Sequence, residues 1–239
     1  MADTETEDSV DPEVRARLAL ALDVDDLVAA MRLGRELNDY FGVAKVGLEL
    51  YSAAGPDAIG AIADLGFDVF LDVKLHDIPT TVGKAGRVLG ALGVQYLTMH
   101  AHGGVEMLRA GVDGLEQGAR NAGLDQPAAL AITVLTSDGD APPHIMPKRV
   151  MLAAEAGCAG IVCATSDLEE AHHYAPRLKR VVAGLRLPGD KVDDQARVAS
   201  PDDALAKGAD LLVIGRAVTH ADDPVEAARR IHALAAKVV

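Results

Sequence analysis

The chain contains no tryptophan, and only three phenylalanines and four tyrosines among its 239 residues. Aromatic stacking therefore cannot dominate the core, which must be built from Ala, Val, Leu and Ile. Cysteine is almost as scarce. Cys158 and Cys163 lie close together with no histidine at metal-ligand spacing beside them. A disulfide scaffold and a zinc site are thus excluded, and buried free thiols with a cytoplasmic address are expected. Positive charge is also in deficit: 23 Lys and Arg face 36 Asp and Glu, for a net charge of -13. That excludes a nucleic acid or an anionic membrane surface as the main partner. It leaves room for an anionic small molecule in a local basic pocket. No apolar run has the length of a membrane span. The opening MADTETEDSVDPE lacks the apolar stretch of a signal peptide. It reads as an acidic, poorly ordered leader over residues 1–16, followed by a single domain over 17–239.

What the chain does have is alternation. Short apolar runs are followed by longer segments of helical periodicity. LALALDV (18–24), VAKVGLEL (43–50), FDVFLDVK (67–74) and VQYLTMHA (94–101) read as strands, each with a helix after it. AALAITVL (128–135), GIVCAT (160–165), RVVAGLR (180–186) and DLLVIGR (210–216) continue the scheme. Strands apolar on both faces belong in a parallel sheet covered by helices. About eight such units in a chain of this length predict an α/β fold of the (β/α)8 TIM-barrel type, with an open doubly wound sheet as the alternative.

In such a barrel the chemistry sits where the strands end. Polar residues fall there: Asp23 after the first strand, Lys45 in the second, Asp72 and Lys74 in the third with Asp77 just beyond, and His100 after the fourth. Thr136 and Ser137 close the fifth, Arg186 the seventh, and Gly215-Arg216 the eighth. Each has a plain reading. Asp23 suits a helix N-cap as well as a site, and His100 suits a rim histidine. His172, His173, Arg109, Arg229 and Arg230 lie on helices and are expected to be solvated. Lys45 is harder to dismiss, because an isolated lysine inside an apolar strand is rare. Asp72 and Lys74 are two apart, so they share a strand face. With Lys45 they predict an alternating line of Lys, Asp, Lys, Asp. As a buried salt-bridge network it would contribute little stability, which favours function. Gly215-Arg216 suits a phosphate, with backbone N–H groups and a guanidinium fork. The polar loop LPGDKVDDQARVA, carrying Gly189 and Gln195, reads as a lid over that anion.

These motifs, in order, resemble the orotidine 5'-phosphate decarboxylase family. The resemblance rests on ALD ending at Asp23, KVG from Lys45, LDVKLHDIPTTV, HAHGG from His100, TVLTS around Thr136, GLR ending at Arg186, Gln195 and IGR ending at Arg216. It implies a cofactor-free, metal-free carboxy-lyase that converts orotidine 5'-monophosphate to UMP and carbon dioxide in pyrimidine biosynthesis. It further implies a homodimeric barrel with shared active sites. Lys74 would protonate ring carbon six, with Asp72 beside the departing carboxylate. Asp77, Ile78 and Thr81 would enter the partner's site. Asp23 and Lys45 would bind the ribose and Thr136 the pyrimidine. Arg186, Gln195, Gly215 and Arg216 would surround the phosphate. The family's usual TPGIR and IGRPVT are VAGLR and IGRAVT in this chain, with Ala183 and Ala217 in place of prolines. That leaves the ligands intact and loosens their loops. Two other readings stand beside this one. One is the related sugar-phosphate branch, Mg²⁺-dependent with a glutamate where Lys45 stands. The other is a non-catalytic phosphate-binding barrel.

Overall fold

The computed structural model describes residues 10–135, 137–138, 140–185 and 199–239. Eight strands form the wall: β1 (Leu18–Leu22), β2 (Val43–Gly47), β3 (Asp68–Leu75), β4 (Tyr96–His100), β5 (Ala128–Ile132), β6 (Gly160–Cys163), β7 (Lys179–Ala183) and β8 (Leu211–Ile214). Around them run α1 (Pro12–Ala16), α2 (Leu27–Leu37), α3 (Leu48–Ala54), α4 (Asp57–Ala63), α5 (Pro79–Ala91), α6 (Gly104–Ala122), α7 (Ile145–Ala156), α8 (Leu168–Tyr174), α9 (Pro201–Ala206), α10 (Arg216–Thr219) and α11 (Pro224–Ala235). Each strand pairs in parallel with the next, and β8 returns to β1 through Leu18–Leu212 and Leu20–Ile214. The sheet is therefore a closed (β/α)8 barrel, and the open-sheet alternative is set aside.

The period of two along each strand divides the core in two. Ala19, Ala21, Val43, Phe70, Leu130, Val181, Leu211 and Val213 pack together inside the barrel. Their neighbours, such as Leu20, Ala44, Leu71, Leu97, Ala131 and Leu212, pack outward with the helices. Inward positions continue upward in the same parity: 21 to 23, 43 to 45, 70 to 72, 96 to 98 and 100. The aliphatic interior thus gives way to a polar mouth.

Three local outcomes differ from the strand and leader assignments. The LEL of residues 48–50 continues an apolar run, yet it opens α3. The ladder between β2 and β3 ends at Gly47–Asp72. Past that point an extended chain would leave backbone groups unpaired, and a helix satisfies them internally. β5 likewise stops at Ile132, although the Thr133 N–H still reaches the Val162 carbonyl. The proposed leader also meets structure at its end. Asp11 caps α1, Val14 is fully buried, and the Arg15 carbonyl accepts from the Gly42 N–H at 2.8 Å. Residues 1–9 lie outside the described residues. Both cysteines are buried free thiols, and burial pushes each thiol up to about 12. Among the described residues no helix is long and apolar enough to cross a membrane.

Candidate active site

Asp23 stands one residue past the end of β1. It does not cap α2; Asp26 does, accepting from the N–H groups of Val28 and Ala29. Asp23 instead accepts from Lys45 Nζ at 2.8 Å. Lys45 is 8% exposed, in the middle of β2. Its ammonium lies between two carboxylates, with Asp72 Oδ2 at 3.8 Å on the other side. The glycine of KVG makes this pair possible. A methyl at Gly47 would sit 2.7 Å from Asp23 Oδ1 and 3.2 Å from Lys45 Nζ.

Asp72 is the hub. Both its oxygens accept from Lys74 Nζ at 2.8 Å, and Thr98 Oγ1 donates to Oδ1 at 2.9 Å. The observed line is therefore Asp23–Lys45–Asp72–Lys74. Two ammonium groups alternate with two carboxylates, so each buried charge has a partner of opposite sign. The Lys74 side chain is 33% exposed against 13% for Asp72, so Lys74 is the member of that pair turned to the open mouth.

Lys74 also has an unusual backbone. Its φ is +48°, the one positive value for a non-glycine among the described residues. Such a conformation costs about 1–3 kcal/mol and persists only where the surroundings enforce it. The β3–β4 register explains it. Leu71 faces Leu97, but Leu75 faces Met99, so β3 carries extra residues between those pairs. The bulge folds the Lys74 ammonium back onto Asp72.

Asp77, Ile78 and Thr81 follow at the head of α5 and are exposed, Ile78 to 66%. Asp77 Oδ1 accepts from the Ile78 N–H at 2.6 Å. The sequence pattern placed an aspartate at the far end of the charge line, but within this chain the second aspartate is Asp23. Gly215 caps the short α10 and Arg216 is its first residue, both partly exposed at the end of β8. Ala217, in the place of the usual proline, is buried. Thr136, Arg186 and Gln195, with Gly189 of the expected lid, lie outside the described residues.

Next to Lys74 the rim is basic. The rings of His76, His100 and His102 lie 5.5–6.2 Å apart. With Leu135, Asp138 and Arg149 they line a cavity of about 230 Å³. His100 Nδ1 accepts from the His102 N–H, which fixes the turn after β4. Burial, and then the nearby charge of Arg149, hold His100 below its ordinary pKa. His172 is exposed as expected, although Arg180 reaches its ring at 2.7 Å.

Sequence reasoning passed over Thr98. Its signal was present, since it has the inward parity of Tyr96 and His100 in YLTMH. A threonine in a strand is so ordinary that parity alone did not single it out.

The sequence profile of the orotidine 5'-phosphate decarboxylase / HUMPS family matches residues 16–231. Orotidine 5'-phosphate decarboxylase of Paramagnetospirillum magneticum is 41% identical over 225 residues, covering 90% of this chain and 96% of that protein. The enzyme of Anaeromyxobacter sp. strain K is 43% identical over 228 residues, covering 91% and 97%. The crystal structure of orotidine 5'-phosphate decarboxylase from Lactobacillus acidophilus superposes with a TM-score of 0.78 at 31% identity, covering 92% of this chain and 98% of that one. Its charged barrel mouth and its sequence agree: this chain belongs to the orotidine 5'-phosphate decarboxylase / HUMPS family.

Proposed function

We propose that the chain removes carbon dioxide from orotidine 5'-monophosphate to give UMP, with no metal or cofactor. One observation carries the reading: the Lys74 ammonium, clamped by both oxygens of Asp72 and facing the barrel mouth. Breaking the bond from ring carbon six to the carboxylate releases carbon dioxide. The electron pair stays on carbon six, where no neighbouring π system accepts it. A fixed cation close to that carbon lowers the barrier, and it needs no reorganisation because Asp72 already holds it. Lys74 then supplies the proton that completes UMP. Asp72 would stand beside the leaving carboxylate, and their repulsion would favour departure.

The remaining roles follow from the family resemblance. Asp23 and Lys45 would take the ribose hydroxyls. Thr136 would contact the pyrimidine, and Arg186, Gln195, Gly215 and Arg216 would hold the phosphate. Phosphate binding, remote from the reacting bond, would supply energy for positioning. Asp77, Ile78 and Thr81 would complete the site of a second copy, so the active form would be a homodimer. A cytoplasmic location would suit this soluble nucleotide substrate.

The family also includes a sugar-phosphate branch, for which a divalent metal is expected. Lys45 argues against that chemistry in this chain. Its ammonium fills the space between Asp23 and Asp72, where a cation would need those two carboxylates. The test is an assay in the presence of a chelator, following the loss of orotidylate absorbance. Turnover should persist, and Lys74→Ala should lower it at least ~10³-fold while UMP still binds. Folded wild-type protein without turnover would defeat the proposal, as would a Lys74→Ala variant of unchanged rate.

A further inference from the structure

We propose that Thr98 is a positioning residue for the reaction, acting through Lys74 and Asp72 together. The inference rests on the catalytic role proposed above for Lys74. Thr98 is fully buried and lies on β4, the strand beside the bulge. Its hydroxyl makes two bonds with opposite sense. It donates to Asp72 Oδ1 at 2.9 Å and accepts the backbone N–H of Lys74 at 2.9 Å.

A hydroxyl has one proton and two lone pairs, so both bonds are satisfied at once. Their direction is forced. An ionised carboxylate only accepts and a peptide N–H only donates, so a group between them must do both. Val, Ala and Leu can do neither.

The bulge explains why a side chain is needed there. Between Leu71–Leu97 and Leu75–Met99 the ladder is out of register. The Lys74 N–H falls within this gap in the register and donates to the Thr98 hydroxyl. This is also the residue with φ of +48°, a conformation that needs an external hold. Thr98 thus ties together the two ends of the catalytic pair: the backbone that carries the ammonium and the carboxylate that orients it. Without the hydroxyl, the Lys74 peptide and the Asp72 carboxylate can each turn, and the ammonium loses its fixed direction toward carbon six.

A purely structural role predicts lost stability with normal chemistry. A positioning role predicts that the chemical step suffers while substrate binding does not. The experiment compares Thr98→Val, nearly isosteric but without the hydroxyl, with Thr98→Ser, which keeps it. Single-turnover decarboxylation and KM are measured on both, with UMP affinity as a check on the folded site.

Thr98→Val should slow the chemical step about 10²-fold, the scale of a catalytic group misplaced by an ångström. KM and UMP affinity should stay within about threefold, since the phosphate and ribose contacts are untouched. Thr98→Ser should recover to within about fivefold of wild type. A Thr98→Val enzyme with wild-type chemistry would overturn the proposal. So would a defect confined to KM, or a serine variant as slow as valine. If Thr98→Val does not fold, Thr98→Cys replaces it, because the thiol is a weak donor and acceptor at the same place. A slowed step at unchanged KM in Thr98→Cys supports the role, and an unchanged step refutes it. Failure of wild-type turnover would instead strike at the proposed function, so the two outcomes are separable.

Discussion

Lysine has no intrinsic reason to adopt a left-handed backbone, and at Lys74 the reason comes from its neighbours. The bulge, Thr98 and Asp72 together hold it there. The same rim carries His100, which is held below its ordinary value of 6.5 first by burial and then by Arg149. The sign follows directly. Between the folded and unfolded pKa values the unfolded chain binds more protons, so stability is full above about 6.5 and is lost as pH falls through the lower folded value. Urea unfolding at about pH 5 and about pH 7.5 should therefore give a lower free energy at the acid point, and His100→Asn should shrink that difference. An identical pH dependence in the variant would remove His100 as its source. At this scale the sequence was legible where a residue type is rare in its setting. A lysine inside a strand, or two charges at a strand's end, cannot pass as packing. Thr98 could not be read in this way, because hydroxyls are common on strands and its importance depends on a register shift that no local pattern announces. Asp77 was placed by motif, and its carboxylate turns to its own backbone.

Among the elements, α5 and α6 make the closest contact. A methyl at Gly90 would fall on the Leu115 carbonyl, one at Gly114 on the Gly83 carbonyl, and one at Gly118 on the Arg87 carbonyl. The two helices thus meet backbone to backbone, without side chains between them. Such a seam has no slack, since carbonyls cannot change rotamer. Gly118→Ala should lower the unfolding free energy by about 1–3 kcal/mol. Gly60→Ala, in α4, is the control, because its added methyl meets nothing. It should raise stability by about 0.5–1 kcal/mol through helix propensity. Urea titration of both variants decides this, and a Gly118→Ala protein as stable as wild type would refute the seam. Both helices were legible from periodicity, and the seam was not. Glycines at three- and four-residue spacing look like weak helix formers until the facing helix is known. The LEL of α3 failed for a related reason: an apolar run is ambiguous between strand and helix, and the end of the β2–β3 ladder decided it.

For the whole molecule, the proposed dimer sets the sharpest test. On the proposed function Lys74 would serve its own barrel, while Asp77, exposed at the head of α5, would serve a second copy. Lys74→Ala and Asp77→Asn proteins should each be nearly inactive alone. Mixed and allowed to exchange, they should recover about a quarter of wild-type activity, because half of the dimers are mixed and each of those has one intact site. No recovery on mixing, with exchange confirmed by sedimentation of labelled chains, would exclude shared sites. The barrel itself was the most legible feature of all. Eight repeats of one pattern reinforce one another, so errors of a few residues at the strand ends do not change the topology. The closure of β8 on β1 has a consequence for how the site comes into being. The ladder joins residue 18 to residue 212, a contact that waits until nearly the entire chain exists. Asp23, Lys45, Asp72, Lys74 and Thr98 all lie in the first hundred residues and leave the ribosome early. Gly215 and Arg216 leave it last of these, just past the strand that closes the wall. Synthesis therefore delivers the proposed reactive groups well before the proposed phosphate anchor, and on that reading the nascent chain holds its chemistry in hand before it can hold a substrate.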